Sequence, residues 1–128
     1  MPMALKESGE NYLETILVLK ARNGKVRSVD VATELYYSKP SVSRAIGILK
    51  NNGLVTVDEG GWIELTEAGE SRAAAVLDRH NIIADYLTDV LGVERETAEE
   101  DACRIEHVLS EKTYQKIKEG LRADGRND

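Results

Sequence analysis

The sequence predicts a mainly α protein: a winged helix-turn-helix DNA-binding domain followed by an all-helical dimerisation domain. Three observations predict it. Apolar residues recur at helical spacing along most of the chain. Two of these helical stretches are joined by only about three residues, as in a helix-turn-helix. The second is followed at once by two short apolar runs around Asp58-Glu59-Gly60-Gly61, a hairpin in the position of a wing.

Each element follows from local chemistry. Tyr12, Leu13, Ile16, Leu17 and Leu19 form the apolar stripe of a first helix, expected from Asn11 to Lys20 and closed by Gly24. Ser28 is expected to N-cap a short helix through Val29, Val31, Ala32 and Leu35. Tyr36-Tyr37 is the break. Ser38 caps the next helix, and Pro40 sits in its first turn, where a missing N–H costs nothing. The stripe there is Val42, Ala45, Ile46 and Leu49, and Asn51-Asn52-Gly53 ends it. The wing strands are Leu54–Val57 and Trp62–Leu65. Thr66 caps a long helix that Gly92 closes, and a further helix runs from Arg95 to Leu109. Ser110 caps a last helix through Tyr114 and Ile117, and from Gly120 onward the chain reads as a frayed tail. The expected division is 1–70 and 71–128. The second part is too small to bury a core alone, so a homodimer is expected. A dimer also brings two recognition helices to successive major grooves.

Composition narrows the function. In 128 residues there are 17 Lys+Arg and 23 Asp+Glu, a net charge of −6, which excludes a uniformly basic nucleic-acid coat. The single cysteine, Cys103, excludes a disulfide scaffold within the chain. No apolar run is long enough for a membrane span and the start has no apolar signal region, so the expected location is cytoplasmic with no membrane partner. The charge is uneven. From Lys20 to Lys50 there are seven basic residues (Lys20, Arg22, Lys25, Arg27, Lys39, Arg44, Lys50) against Asp30 and Glu34, an island of +5 in an acidic chain. Such an island on a helix-turn-helix is the footprint of double-stranded DNA binding. The face expected to meet DNA is Lys39, Pro40, Ser41, Ser43, Arg44 and Lys50. Small hydroxyls there allow close approach, and Arg44 can reach a guanine bidentately. Lys25, Arg27 and Lys50 are expected on phosphates.

The sharpest chemistry of the second half is Asp101-Ala-Cys103-Arg-Ile-Glu106-His107. Cys103, Glu106 and His107 stand at i, i+3 and i+4, within about 100° of arc on one helix face. Thiolate, carboxylate and imidazole together form a transition-metal donor set. Spacing alone leaves the alternative open that Cys103 is a small core hydrophobe and Glu106 and His107 a surface pair. Asn11 and Glu14 stand three apart on the first helix, and His80, the other histidine, is on the long one.

Taken in order, these residues resemble the diphtheria-toxin-repressor family of metal-dependent repressors over nearly the whole chain. The matching stretches are Glu10-Asn-Tyr-Leu-Glu-Thr-Ile, Ser38-Lys-Pro-Ser-Val-Ser-Arg, Leu65-Thr-Glu-Ala-Gly, Asp78-Arg-His80 and Ala102-Cys-Arg-Ile-Glu-His107. The length resembles that of the short, manganese-responsive branch, without the C-terminal SH3-like domain of iron-responsive members. The resemblance implies a metal site of Asn11, Glu14, His80, Cys103, Glu106 and His107. Cys103, Glu106 and His107 match the iron-type site, where Asn11 replaces a common Met. In the manganese-type pattern Asn11 replaces an Asp and Cys103 a Glu. The iron branch's second site falls on His80, Ala84 and Glu99, leaving His80 and Glu99 as donors. Sulfur and imidazole favour Fe(II) over Mn(II) as co-repressor. Tyr36 stands where the family has Gly or Ala, a strained choice if the turn requires a positive φ.

The resulting hypothesis is a repressor of metal-uptake promoters in which a divalent ion ties Asn11 and Glu14 to His80, Cys103, Glu106 and His107. The nearest alternative is a winged-helix repressor sensing a non-metal ligand, with the Cys/His/Glu cluster structural. An enzyme using Cys103 and His107 is not expected, because no Gly-rich nest or oxyanion donor accompanies them. A purely structural adaptor would show no sequence-specific footprint.

Overall fold

The computed structural model describes residues 7–123. Its elements run α1 (Glu7–Asn23), α2 (Ser28–Leu35), α3 (Lys39–Asn51), β1 (Val55–Val57), β2 (Ile63–Leu65), α4 (Glu67–Asp89), α5 (Arg95–Ile105) and α6 (Glu111–Ala123). The chain is mainly helical. It divides into two compact units, 1–74 and 75–128, and the division falls inside α4.

The first unit is the winged helix-turn-helix. One side of α1 (Tyr12, Leu13, Ile16, Leu19) meets Val31 and Ala32 of α2, Val42, Ile46 and Leu49 of α3, and Val55 and Ile63 of the wing in a single buried cluster. Ser38 closes the start of α3 as expected, its Oγ accepting from the Ser41 amide at 3.3 Å. The strands pair antiparallel in the register Val55↔Leu65, Thr56↔Glu64 and Val57↔Ile63. Thr66 caps α4, accepting from the Gly69 amide at 3.0 Å and donating to the Gly53 carbonyl at 2.7 Å. That docks the helix start on the chain leaving α3. The approach is close: a Cβ on Gly69 would stand 1.9 Å from the Leu54 carbonyl oxygen.

The cap expected at Ser28 is a correction. Arg27 is the N-cap, extended at φ −120°, ψ 166°, and Ser28 is already helical. The Asp30 carboxylate, three residues into the helix, accepts from the Arg27 amide at 2.9 Å. The start is therefore closed from within, and a hydroxyl cap at Ser28 is not used. The turn after α2 is made by Tyr36 in the left-handed region, φ 59°, ψ 38°. The Tyr37 amide returns to the Ala32 carbonyl at 3.1 Å, closing the helix as a glycine would.

The second unit gathers Ile82, Ile83, Ala84, Ala102, Tyr114 and Leu121 into its own core. Two expectations change here. The helix expected to reach Leu109 stops at Ile105, where the Val108 and Leu109 amides both turn back to the Ile105 carbonyl, each at 3.0 Å. Glu106 is its cap and His107 lies beyond it. The frayed tail does not begin at Gly120, because α6 continues to Ala123 with Leu121 only 2% exposed. Gly120 itself abuts the Tyr86 ring. Residues 124–128 of that tail lie outside the described residues. Among the described residues no helix is long and apolar enough to cross a membrane.

Candidate DNA interface and metal centre

On α3 the apolar stripe turns inward and leaves Lys39, Pro40, Ser41, Ser43, Arg44 and Lys50 all exposed. The basic island divides into two kinds of residue. Lys20 is ion-paired with Glu64, and Arg22 with Glu34 at 3.2 Å. Lys25, Arg27, Lys39, Arg44 and Lys50 form no ion pair with a described acid and are exposed. Arg27 and Lys25 instead stand over the Trp62 ring, 4.1 Å and 4.9 Å from its centroid. Sequence periodicity assigned Trp62 only to a strand. Its pairing with Arg27 joins the wing to the segment before α2 and is a tertiary feature.

Asn11 and Glu14 both lie on α1 in the first unit, half-buried and one turn apart. In the second unit His80 on α4 meets Glu99 of α5 and Glu106 at the end of that helix. Its Nδ1 is 3.0 Å from Glu106 Oε1 and its Nε2 2.6 Å from Glu99 Oε1. The other oxygen of Glu106 is 3.1 Å from His107 Nε2. The carboxylate thus has an imidazole nitrogen at each oxygen, and its side chain is 0% exposed. Ala84, at the remaining position of the second-site pattern, is buried in the core and offers no donor. Cys103 is exposed on α5, whereas Glu106, three residues on, is buried. An arc of about 100° is wide enough for one edge to reach solvent.

Glu99 is held from its other side by Arg95, with Arg95 Nε at 2.9 Å, and Arg95 also reaches Asp85 at 2.9 Å. The His80 hydrogen bond holds the Glu99 carboxyl below its ordinary range, against burial, which acts the other way; Arg95 adds to the lowering. The i, i+4 spacing of Arg95 and Glu99 was visible in the sequence as a helix-surface pair. That it braces a histidine partner was not.

A buried carboxylate between two imidazoles, in one unit, accompanies an exposed basic recognition helix and wing in the other. These define a winged-helix DNA-binding protein with an appended helical domain bearing metal-type donors. The chain belongs to the iron-dependent repressor family. Residues 4–60 match its N-terminal DNA-binding domain and residues 66–123 its metal-binding and dimerisation domain. That family is one of transcriptional repressors, not enzymes. The chain is 32% identical over 117 residues to the diphtheria toxin repressor of Corynebacterium glutamicum, covering 91% of this chain and 51% of that protein. It is 33% identical to an HTH-type transcriptional regulator of Methanocaldococcus jannaschii, covering 89% of this chain and 92% of that one. Among solved structures, a manganese-dependent transcriptional repressor in complex with manganese superposes with a TM-score of 0.79 at 27% identity, covering 89% of this chain and 52% of the other. The chain spans about half the length of the two named repressors.

Proposed function

We propose that the chain is a metal-dependent transcriptional repressor. It acts as a homodimer in the cytoplasm on the promoter DNA of metal-uptake genes, with Fe(II) or Mn(II) as co-repressor. Support comes from the matching of both domains, in order, over 4–60 and 66–123. The recognition surface is α3, with Ser41, Ser43 and Arg44 toward base edges and Lys39, Pro40, Lys50 and Arg27 along the backbone. The proposed donors are His80, Glu106 and His107, joined by Asn11, Glu14 and Cys103, with His80 and Glu99 as a partial second set.

The observation that carries the metal reading is the Glu106 carboxylate, buried with an imidazole nitrogen near each oxygen. An ionised carboxylate so enclosed needs positive charge beside it. Two imidazoles and a carboxylate are nitrogen and oxygen donors that a first-row divalent ion accepts. Bound there, such an ion would supply positive charge and a fixed coordination distance. The residues themselves do the positioning. Glu106, at the end of α5, orients both His80 and His107, while Arg95 holds Glu99 against the far nitrogen of His80. Cys103 is the soft donor that would favour Fe(II), and Asn11 can contribute only a neutral carbonyl oxygen. Because Asn11 and Glu14 belong to α1, loading would bias the DNA-competent arrangement. The test is His107→Ala. It is expected to lose the metal-dependent part of DNA affinity while staying folded. If it bound promoter DNA equally with and without metal at the wild-type loaded affinity, the proposal would fail.

A further inference from the structure

We propose that Trp62 is the positioning residue of a two-cation phosphate clamp at the root of the wing, formed by Arg27 and Lys25. The inference rests on the reading that this unit binds duplex DNA.

The clamp is built from the turn upward. One carboxylate oxygen of Asp58 accepts from the Gly60 amide at 2.9 Å and the Trp62 amide at 3.0 Å, and the Asp58 amide itself donates to the Trp62 carbonyl at 3.1 Å. The turn therefore fixes where Trp62 leaves the hairpin. A Cβ on Gly60 would come within 3.1 Å of the indole Cδ1, so the missing side chain there lets the ring lean over the turn. The far edge is fixed by backbone. Arg27 pairs with Trp62 in an antiparallel bridge, and the Ile63 amide donates to the Val26 carbonyl at 2.7 Å. Arg27 is extended there, so Lys25 and Arg27, two residues apart, project from the same side of the segment, on either side of inward-facing Val26. Both arrive at the indole, the guanidinium 4.1 Å and the ammonium 4.9 Å from the ring centroid.

The neighbouring cations show why a ring matters. Lys20 and Arg22 are neutralised by Glu64 and Glu34. An acid placed beside Lys25 and Arg27 would cancel the charge that a phosphate needs. Asp30, the nearest candidate in sequence, spends its carboxylate on the Arg27 amide instead. An aromatic face attracts a cation through its quadrupole without neutralising it, and leaves the N–H edges of the guanidinium available to oxygen. Two like charges held over one ring repel each other, and a shared anion relieves that repulsion. Regularly spaced phosphates along a duplex supply such anions.

The test uses the full chain loaded with Mn(II) and a random-sequence duplex, whose binding is dominated by the phosphate backbone. Affinity is measured across a salt series for wild type, Trp62→Ala, Trp62→Phe, and a Lys25→Ala/Arg27→Ala double variant with and without Trp62→Ala. Trp62→Ala is expected to weaken binding about two- to fivefold at fixed salt. It should also lower the slope of log K against log salt by about 0.9 for each phosphate no longer neutralised. Trp62→Phe should keep most of both. In the background lacking both cations, Trp62→Ala should cost nothing further, whereas a ring that merely braced the hairpin would cost the same in either background. Unchanged affinity and slope in Trp62→Ala, or an undiminished loss in the cation-free background, would overturn the clamp while leaving the DNA reading intact. A wild-type chain that binds no duplex would overturn the DNA reading, and the clamp with it.

Discussion

Replacing Tyr36 by glycine should stabilise the protein, against the usual expectation for removing a large side chain. Tyr36 is the one non-glycine residue at positive φ among the described residues, at φ 59°. A side chain in the left-handed region costs roughly 1–2 kcal/mol, because Cβ crowds the following carbonyl. Glycine removes that cost but loses about 0.5–1 kcal/mol through the greater freedom of its unfolded backbone. Little packing is sacrificed, since Tyr36 is 95% exposed. The balance is a gain of about 0.5–1 kcal/mol, or about 2–5 °C in Tm for a chain of this size. Tyr36→Ala is the control: it removes the ring but keeps Cβ and the strain, so it should stay within about 0.5 kcal/mol of wild type. Urea and thermal unfolding followed by circular dichroism would read both, as a shift in midpoint at unchanged slope. A glycine variant no more stable than wild type, or an alanine variant as stable as the glycine one, would refute the backbone-strain argument.

Three further outcomes follow from particular side chains. Gly69→Ala should destabilise by about 2 kcal/mol or more in urea unfolding, because the new Cβ would meet the Leu54 carbonyl oxygen at 1.9 Å and that neighbour is backbone. Leu121→Ala should cost about 2–5 kcal/mol by the same assay, whereas a frayed tail would make it silent. Glu99 gives a pH signature. Its folded pKa lies below the ordinary 4.5, so its contribution is present above that value and is lost as pH falls through the lowered one. The gap in urea midpoint between wild type and Glu99→Gln should therefore hold from neutral pH down to about pH 5 and close in more acid solution. A gap that stayed open in acid solution well below the ordinary carboxylate range would contradict the assigned hydrogen bond.

Much of the fold was legible because its signals are local. Ser38, Thr66 and Ser110 each cap their helix through a side chain three residues from its partner amide, so the pattern can be read without tertiary structure. Gly24, Gly53 and Gly92 each take the positive φ that their place after a helical stretch implies. The failures are where two local solutions compete. Ser28 is as good a cap by type as any, but Asp30 closes the helix from inside and moves the start back to Arg27. Past Ile105 the residues remain compatible with helix. Burial of Glu106 against His80 and His107 accompanies the turn there, and that depends on residues far away in sequence. Gly120 looks like a stop by composition, yet α6 continues through it to Ala123. Here its missing side chain instead admits the Tyr86 ring. The candidate site was legible only in part. Residue types and spacing pointed to Cys103, Glu106 and His107, and the family resemblance added His80 and Glu99. Which oxygen faces which nitrogen, and the bracing by Arg95, arise only when α4 and α5 meet.

The most direct test of the central claim is an anaerobic titration of Fe(II) and Mn(II) into the metal-free protein, read as affinity for promoter DNA of metal-uptake genes at fixed salt. The account predicts that affinity rises with metal and that Fe(II) acts at the lower concentration if Cys103 is a donor. DNA binding that is equally tight with and without either metal would contradict it.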